Sequence, residues 1–463
     1  MNFSGILFLL YFLPLILAAY YLTPKHGRNF VLFMGSLFFY AWGEPVYVLI
    51  LLVSCLLNYF MGLAIDTEEQ TAKRKSVFVF SVIFNIAILI LFKYIGRFIA
   101  LFTVKLPWDS SYFNFGIPLG ISFYTLNALS YTTDIYRGKV KAQKNFINFG
   151  TYITMFSKLL AGPVISYNKM EKQLTSRRET IEGFSSGIVC FVVGLAKKVI
   201  LADNLFALWE SIKLTPTAEL TTVLAWLGII SFALYIYFDF SGYSDMAIGL
   251  SKMFGFEFGK NFDYPYTSRS ISEFWSKWNI SLYDWFKEYV FLPLGGKDKN
   301  AFRTNLNMLT VWVLVGLWHN FSLNFLLFGL YFALFFIIEK SISEKNLKKI
   351  PDIFRVLYTI IFVLIGWVFF ATPDFASSIE YFKALLGFSN AGAFSPRFIY
   401  DVLSNGILLI ASVFASLPYA SRTGKILSDD NPSYATVPIV LLFILSLVYI
   451  IGSTTVPFVY FSF

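Results

Sequence analysis

Apolar stretches of near-membrane length alternate with short polar connections along almost the whole chain. They fall at about 4–22, 30–43, 45–64, 77–102, 117–134, 146–165, 183–202, 222–238, 304–318, 322–338, 354–371, 402–418 and 436–452. A helix needs about 20 apolar residues to cross the hydrocarbon core, so the shorter stretches are marginal. The pattern predicts an all-α, polytopic membrane protein with about ten to twelve transmembrane helices, the remaining segments being re-entrant or interfacial. The first stretch, Ile6 to Leu22, lacks a basic n-region and a small-residue cleavage site, and reads as a retained helix. Three groups of basic residues are expected on the cytoplasmic side: Arg137, Lys139, Lys141 and Lys144; Lys169, Lys172, Arg177 and Arg178; and Lys340, Lys345, Lys348, Lys349 and Arg355. The 372–400 connection, poor in Lys and Arg, is expected outside. No internal repeat and no line of intramembrane charges is apparent. One integral domain over 1–463 is therefore expected, with N-terminal helices at 1–235, a central segment at 236–340 and C-terminal helices at 341–463.

Composition agrees with this pattern and removes other classes. Hydrophobic residues make up 57% of the 463 positions, aromatics 20% and charged residues 14%. Charged residues in soluble chains run near ~25%, so disordered, collagen-like and secreted disulfide-rich classes are excluded. The net charge of +9 reads as basic loops facing anionic lipid, and no nucleic-acid partner is expected. Cys55 and Cys190 both lie in apolar runs, and the histidines are His26 and His319 alone. Neither a disulfide framework nor a metal site is expected. His26, between Lys25 and Arg28, reads as a loop residue.

Polar residues concentrate between Tyr235 and Gly296. Ser270-Ile271-Ser272-Glu273 has the form of a capping box and predicts a helix start. Continued at about 100° per residue, that helix puts Trp275, Trp278, Asn279, Leu282, Trp285, Phe286 and Tyr289 on one face, opposite Glu273, Lys277, Asp284, Lys287 and Glu288. Asn279 is then an amide within an aromatic stripe and needs a hydrogen-bonding partner. An interfacial helix in which Asn279 bonds a backbone carbonyl accounts for the same pattern. In Tyr237-Phe238-Asp239-Phe240-Ser241-Gly242-Tyr243-Ser244-Asp245, the glycine and serines predict an interrupted helix, with Asp239 or Asp245 capping it or pairing with a cation. Gly295-Gly296 reads as a turn without the spacing of a phosphate-binding loop. His319 lies in Gly316-Leu317-Trp318-His319-Asn320, inside a stretch from Thr304 to Ile338 that holds no Asp, Glu, Lys or Arg. An imidazole at membrane depth is a candidate functional group, and burial disfavours its charged form, leaving a base able to accept a proton. A core histidine bonded to a carbonyl is the structural alternative.

The blocks YFDFSGYSDMAIGL (237–250), NFDYPYTSRSISEFWSKWNISLYDWFKEYVFLPLGG (261–296) and GLWHN (316–320) resemble the membrane-bound O-acyltransferase family, in its bacterial branch of alginate and peptidoglycan O-acetylation proteins. AGP at 161–163, GWVFFA at 366–371 and the closing FVYFSF extend the resemblance over nearly the whole chain. It implies a helical fold around a central tunnel, in the bacterial cytoplasmic (inner) membrane. The family's histidine falls on His319. Nearer bacterial relatives usually carry Trp-His where this chain has Trp278-Asn279, whereas more distant members use asparagine there. The resemblance thus implies His319 and Asn279 as the catalytic pair, with Trp275, Trp278, Trp285, Trp318, Asp239, Ser241 and Asp245 lining or supporting a substrate tunnel. It implies no bound cofactor, acetyl-CoA as acyl donor, and an extracytoplasmic serine-esterase-like (SGNH-type) acetyltransferase as partner, through which the group reaches a polysaccharide. Two alternatives stand beside it: transfer of a D-alanyl group from a carrier protein to teichoic acid, and a transporter or export component without chemistry.

Overall fold

The computed structural model describes residues 1–102, 117–296, 300–342, 349–419 and 432–452, with backbone alone at 95–102 and 432–435. Every regular element among them is a helix. The chain divides into two compact units, Met1–Ile188 with Met246–Gly259, and Val189–Asp245 with Lys260–Phe463.

The first unit is built from α1 (Leu13–Leu22), α2 (Arg28–Gly43), α3 (Tyr47–Thr67), α4 (Thr71–Phe102), α5 (Ile121–Tyr136), α6 (Phe146–Thr154), α7 (Phe156–Leu159) and α8 (Tyr167–Ser176). Lipid offers helices no hydrophobic drive to associate, so small residues and polar pairs fix their packing. Between α3 and α4, Asn58 and Asn85 exchange amide hydrogen bonds of 3.1 and 2.8 Å. Between α4 and α5, Ser81 Oγ donates to Thr132 Oγ1 at 2.9 Å. Glu179 receives the Tyr20 hydroxyl at 2.6 Å and pairs with Arg28 at 2.9 Å.

The second unit takes the C-terminal half of α9 (Ile181–Ala196), a π-helical turn at Lys197–Ala202, α10 (Asp203–Lys213) and the longer part of α11 (Thr222–Met253). It continues with α12 (Ile271–Lys277), α13 (Ile280–Phe286), α14 (Ala301–His319), α15 (Leu323–Ser341), α16 (Asp352–Ala371), α17 (Phe375–Leu385), α18 (Pro396–Ser404), α19 (Gly406–Ala415) and α20 (Pro432–Gly452). Gly316 of α14 lies against the Phe325 carbonyl and Gly329 of α15 against the Trp312 carbonyl, where no Cβ fits, so these two helices run backbone to backbone.

Six helices among the described residues are long and apolar enough to cross a membrane: Tyr47–Thr67, Thr71–Tyr94, Ile181–Lys213, Thr222–Met253, Leu323–Ser341 and Asp352–Ala371. Counting α18 and α19, bent by 63°, as one broken span makes seven. This falls below the expected ten to twelve because several apolar stretches fold as shorter pieces. Phe8–Leu22 and Thr436–Gly452 are short, and 146–165 becomes two helices of 9 and 4 residues.

The interruption expected around Gly242 does not occur, since α11 runs unbroken from Thr222 to Met253. A Cβ on Gly242 would sit 2.7 Å from the Gly194 carbonyl oxygen and 3.1 Å from the Lys198 nitrogen. The glycine permits close approach of α11 to the chain at α9 and does not end a helix.

Candidate active site

All nine residues predicted for the site lie in the second unit. Its geometry starts at Ser270, whose hydroxyl accepts the Glu273 N–H at 3.0 Å. The reciprocal bond of the capping box is displaced by one residue, Glu273 Oε2 taking the Arg269 N–H at 2.9 Å. The remaining free donors are satisfied by Glu339 from α15, which accepts Ile271 N at 2.6 Å, Ser272 N at 2.9 Å and Ser272 Oγ at 2.7 Å. Burial works against ionisation of Glu273, yet its bonds to Lys277 (2.7 Å) and to the Arg269 N–H hold the carboxyl below the ordinary glutamate range.

The helix begun here is not continuous to residue 290. It ends at Lys277 and restarts at Ile280, with Asn279 between them at φ 46°, ψ 57°. Asparagine is among the residues that tolerate this left-handed conformation best. The segment preceding α12 binds both broken ends: Asp263 N donates to the Lys277 carbonyl at 3.0 Å, Ile280 N to the Asn261 carbonyl at 2.9 Å, and Ser281 N to Asn261 Oδ1 at 3.0 Å. Asn261 Nδ2 in turn donates to Ser244 Oγ of α11 at 3.0 Å. Asn279 is 5% exposed, does not cap α13, and its carboxamide has no hydrogen-bond partner among the described residues. The hydrogen-bonding partner expected for this side chain is thus not found among the described residues.

The aromatic residues form one connected layer. Trp278 stacks on Phe274 with ring centres 5.5 Å apart and meets Trp367 of α16 at 5.0 Å. Trp275 packs against Trp312 at 5.0 Å and Phe332 at 4.9 Å. His319, 6% exposed at the last residue of α14, is enclosed by Phe370 at 5.4 Å, Phe325 at 6.0 Å and Phe328 at 6.3 Å. Trp367 joins the two ends, lying 5.6 Å from Phe370 and 6.0 Å from Phe328. His319 and the Trp278-Asn279 break, 40 residues apart in sequence, thus belong to one aromatic cluster with Trp367 and Phe370 between them. Trp285 reaches the same cluster through Phe286, whose ring lies 6.5 Å from that of Trp318.

The acids on α11 belong to a separate charge cluster. Asp239, fully buried, pairs with Lys198 at 2.7 Å, and Lys198 also pairs with Asp203 at 2.8 Å. Asp245 pairs with Lys197 at 2.6 Å. The expected pairing with a cation occurs at both acids, and both cations lie on the π-helical turn. Ser241 is buried on α11 with no hydrogen-bond partner for its hydroxyl among the described residues. The five charged side chains of these pairs stand inside two candidate spans, and the two lysines were not singled out from sequence. The signal was present as Lys197-Lys198 within an apolar run. Asn261, Glu339 and Trp367 were not singled out from sequence, although Glu339 is a lone acid closing an apolar helix. Among the described residues no group of three His, Cys, Asp or Glu is placed to hold a metal ion.

The described residues thus define a multi-pass, all-helical integral membrane protein in which His319 is enclosed by aromatic rings. The model of the membrane-bound O-acyltransferase family matches residues 139–373, and the chain belongs to that family. It is therefore an O-acyltransferase. The probable alginate O-acetylase AlgI of Pseudomonas aeruginosa is 34% identical over 84% of this chain and 75% of its own length. The peptidoglycan O-acetyltransferase of Helicobacter pylori is 27% identical over 100% of this chain and 97% of its own. The teichoic acid D-alanyltransferase of Bacillus subtilis is 26% identical over 56% of this chain and 69% of its own.

Proposed function

We propose that the protein sits in the bacterial cytoplasmic membrane and moves an acetyl group from cytosolic acetyl-CoA to an extracytoplasmic acceptor, for O-acetylation of a cell-envelope or secreted polysaccharide of the alginate or peptidoglycan type. The observation that carries the reading is the placement of His319, an imidazole enclosed by Phe325, Phe328 and Phe370 in the cluster that also holds Trp278 beside Asn279. An imidazole in its neutral form carries one ring nitrogen able to accept a proton. It takes the proton of the incoming hydroxyl as the oxygen attacks the thioester carbon; the carbon–sulfur bond breaks and the proton passes to the departing CoA thiolate. Asn279 has no acidic proton to exchange, so it serves by hydrogen bonding, orienting the thioester or the acceptor through its unpaired carboxamide. A two-step route, with the acetyl group carried briefly on the imidazole, uses the same residues. The immediate acceptor is a serine hydroxyl on an SGNH-type partner that passes the group to the glycan.

The test is acetyl-CoA turnover by the protein purified into lipid nanodiscs, together with ester content of the cell envelope. His319→Ala is expected to lower turnover by about 10²–10⁴-fold while membrane abundance stays unchanged. Asn279→Ala is expected to lower it as well. Full acetylation with His319→Ala overturns the assignment. The alignment with a D-alanyltransferase supports a second reading, in which the donor is a D-alanyl thioester on a carrier protein; strict dependence on that charged carrier, with acetyl-CoA inert, would replace the first.

A further inference from the structure

We infer that Asn261 is a positioning residue for this site: it holds the α12–α13 break in the one backbone conformation that presents the Asn279 carboxamide, and so acts on turnover without touching substrate. The inference rests on the reading of Asn279 above and adds to it the device that sets its geometry.

The two non-glycine residues with positive φ among the described residues are Asn279, at 46°, and Tyr264, at 48°. For a bulky residue such as tyrosine this conformation is a true outlier, held only where surrounding bonds over-determine it. Both stand on the two chain segments that cross at the break. Three bonds tie those segments together, from Asp263 N to Lys277 O, Ile280 N to Asn261 O, and Ser281 N to Asn261 Oδ1. A fourth, from Asn261 Nδ2 to Ser244 Oγ, anchors the crossing to α11. Asn261 contributes to three of the four and is 2% exposed. Its amide orientation follows from its partners, because a backbone N–H only donates and must therefore face Oδ1.

The side chain is thus a brace between a long membrane helix and the first turn of α13, immediately after Asn279. Removing it leaves the Ser281 N–H without its acceptor and frees the break from α11, while the backbone bond to Ile280 survives. Asn279 then relaxes toward right-handed helix, and its carboxamide turns away.

The test uses the full-length protein in nanodiscs. Asn261→Leu is expected to lower kcat for acetyl-CoA by about 100-fold, as a displacement near 1 Å does for a reacting group, and to leave KM unchanged. Asn261→Asp restores turnover, since one carboxylate oxygen accepts Ser281 N–H and the other accepts the Ser244 hydroxyl. Two residues acting as one unit are not additive, so Asn261→Leu combined with Asn279→Ala is expected to be no slower than Asn279→Ala alone. A fully active Asn261→Leu overturns the inference, as does an equal loss in the Asn279→Ala background. If the wild-type protein turns over no acetyl-CoA, the donor assignment fails by itself, and a structure of Asn261→Leu decides the present point. Asn279 leaving the left-handed region supports the brace; Asn279 remaining there removes it.

Discussion

At the scale of single residues, the backbone of Asn279 is as constrained as its side chain. At φ 46° a β-branched residue costs about 1–3 kcal/mol, whereas glycine adopts the conformation freely. The two requirements separate in one pair of variants. Asn279→Gly is expected to keep the melting temperature of the wild-type protein and lose most turnover. Asn279→Val is expected to lose turnover and melt earlier by several degrees, about 1–3 kcal/mol of stability. Equal melting of the two in detergent would mean that position 279 is not held left-handed. A polar group in an aromatic stripe marked Asn279 as a candidate in the sequence, but its left-handed conformation was not legible there. Trp275, Trp278, Leu282 and Trp285 are buried on both sides of the break, so their spacing in the sequence reads as one helix although the chain forms two. What bends the chain there comes from residues 261–263, a tertiary contribution outside any local pattern.

At the scale of elements, His319 is placed by how α14 meets α15. Gly316, one turn before the histidine, has the Phe325 carbonyl where a Cβ would go, and Gly329 has the Trp312 carbonyl. Gly316→Ala is therefore expected to push α14 outward, cost about 1–3 kcal/mol by overpacking and shift the imidazole against Phe325 and Phe370. Thermal unfolding together with acetyl-CoA turnover checks this, with Gly406→Ala as the comparison, since a Cβ there meets nothing within 4 Å. Unchanged turnover in Gly316→Ala would show that the helix pair tolerates slack at the histidine. The apolar stretches at 304–318 and 322–338 and the GLWHN block were legible as elements. The role of the glycines was not, because a glycine that breaks a helix and one that lets two backbones touch look alike until the opposing helix is known. Gly242 was misread for that reason.

At the scale of the whole molecule, the membrane class follows from composition, but the count of spans does not, since apolar stretches of one strength fold either as full crossings or as shorter buried pieces. Charge decides how the long helices of the second unit are held. Lys198 on the π-helical turn bridges Asp203 and the fully buried Asp239 at 2.8 and 2.7 Å, joining the Ile181–Lys213 helix to α11. In transport proteins, intramembrane charges mark an ion path; here each cation is matched to an acid at ion-pair distance, which makes the cluster a clasp. An ion pair away from water adds little over an apolar pair, yet removing one partner strands the other at a cost of about 3–5 kcal/mol. Lys198→Met is expected to destabilise the protein by that amount. Lys198→Met with Asp239→Asn, which removes the stranded charge on α11, is expected to recover a large part of the loss. Melting curves of the two variants in the same detergent decide the matter: a double variant no more stable than the single one would mean that the Lys198–Asp239 pair does not hold these helices together.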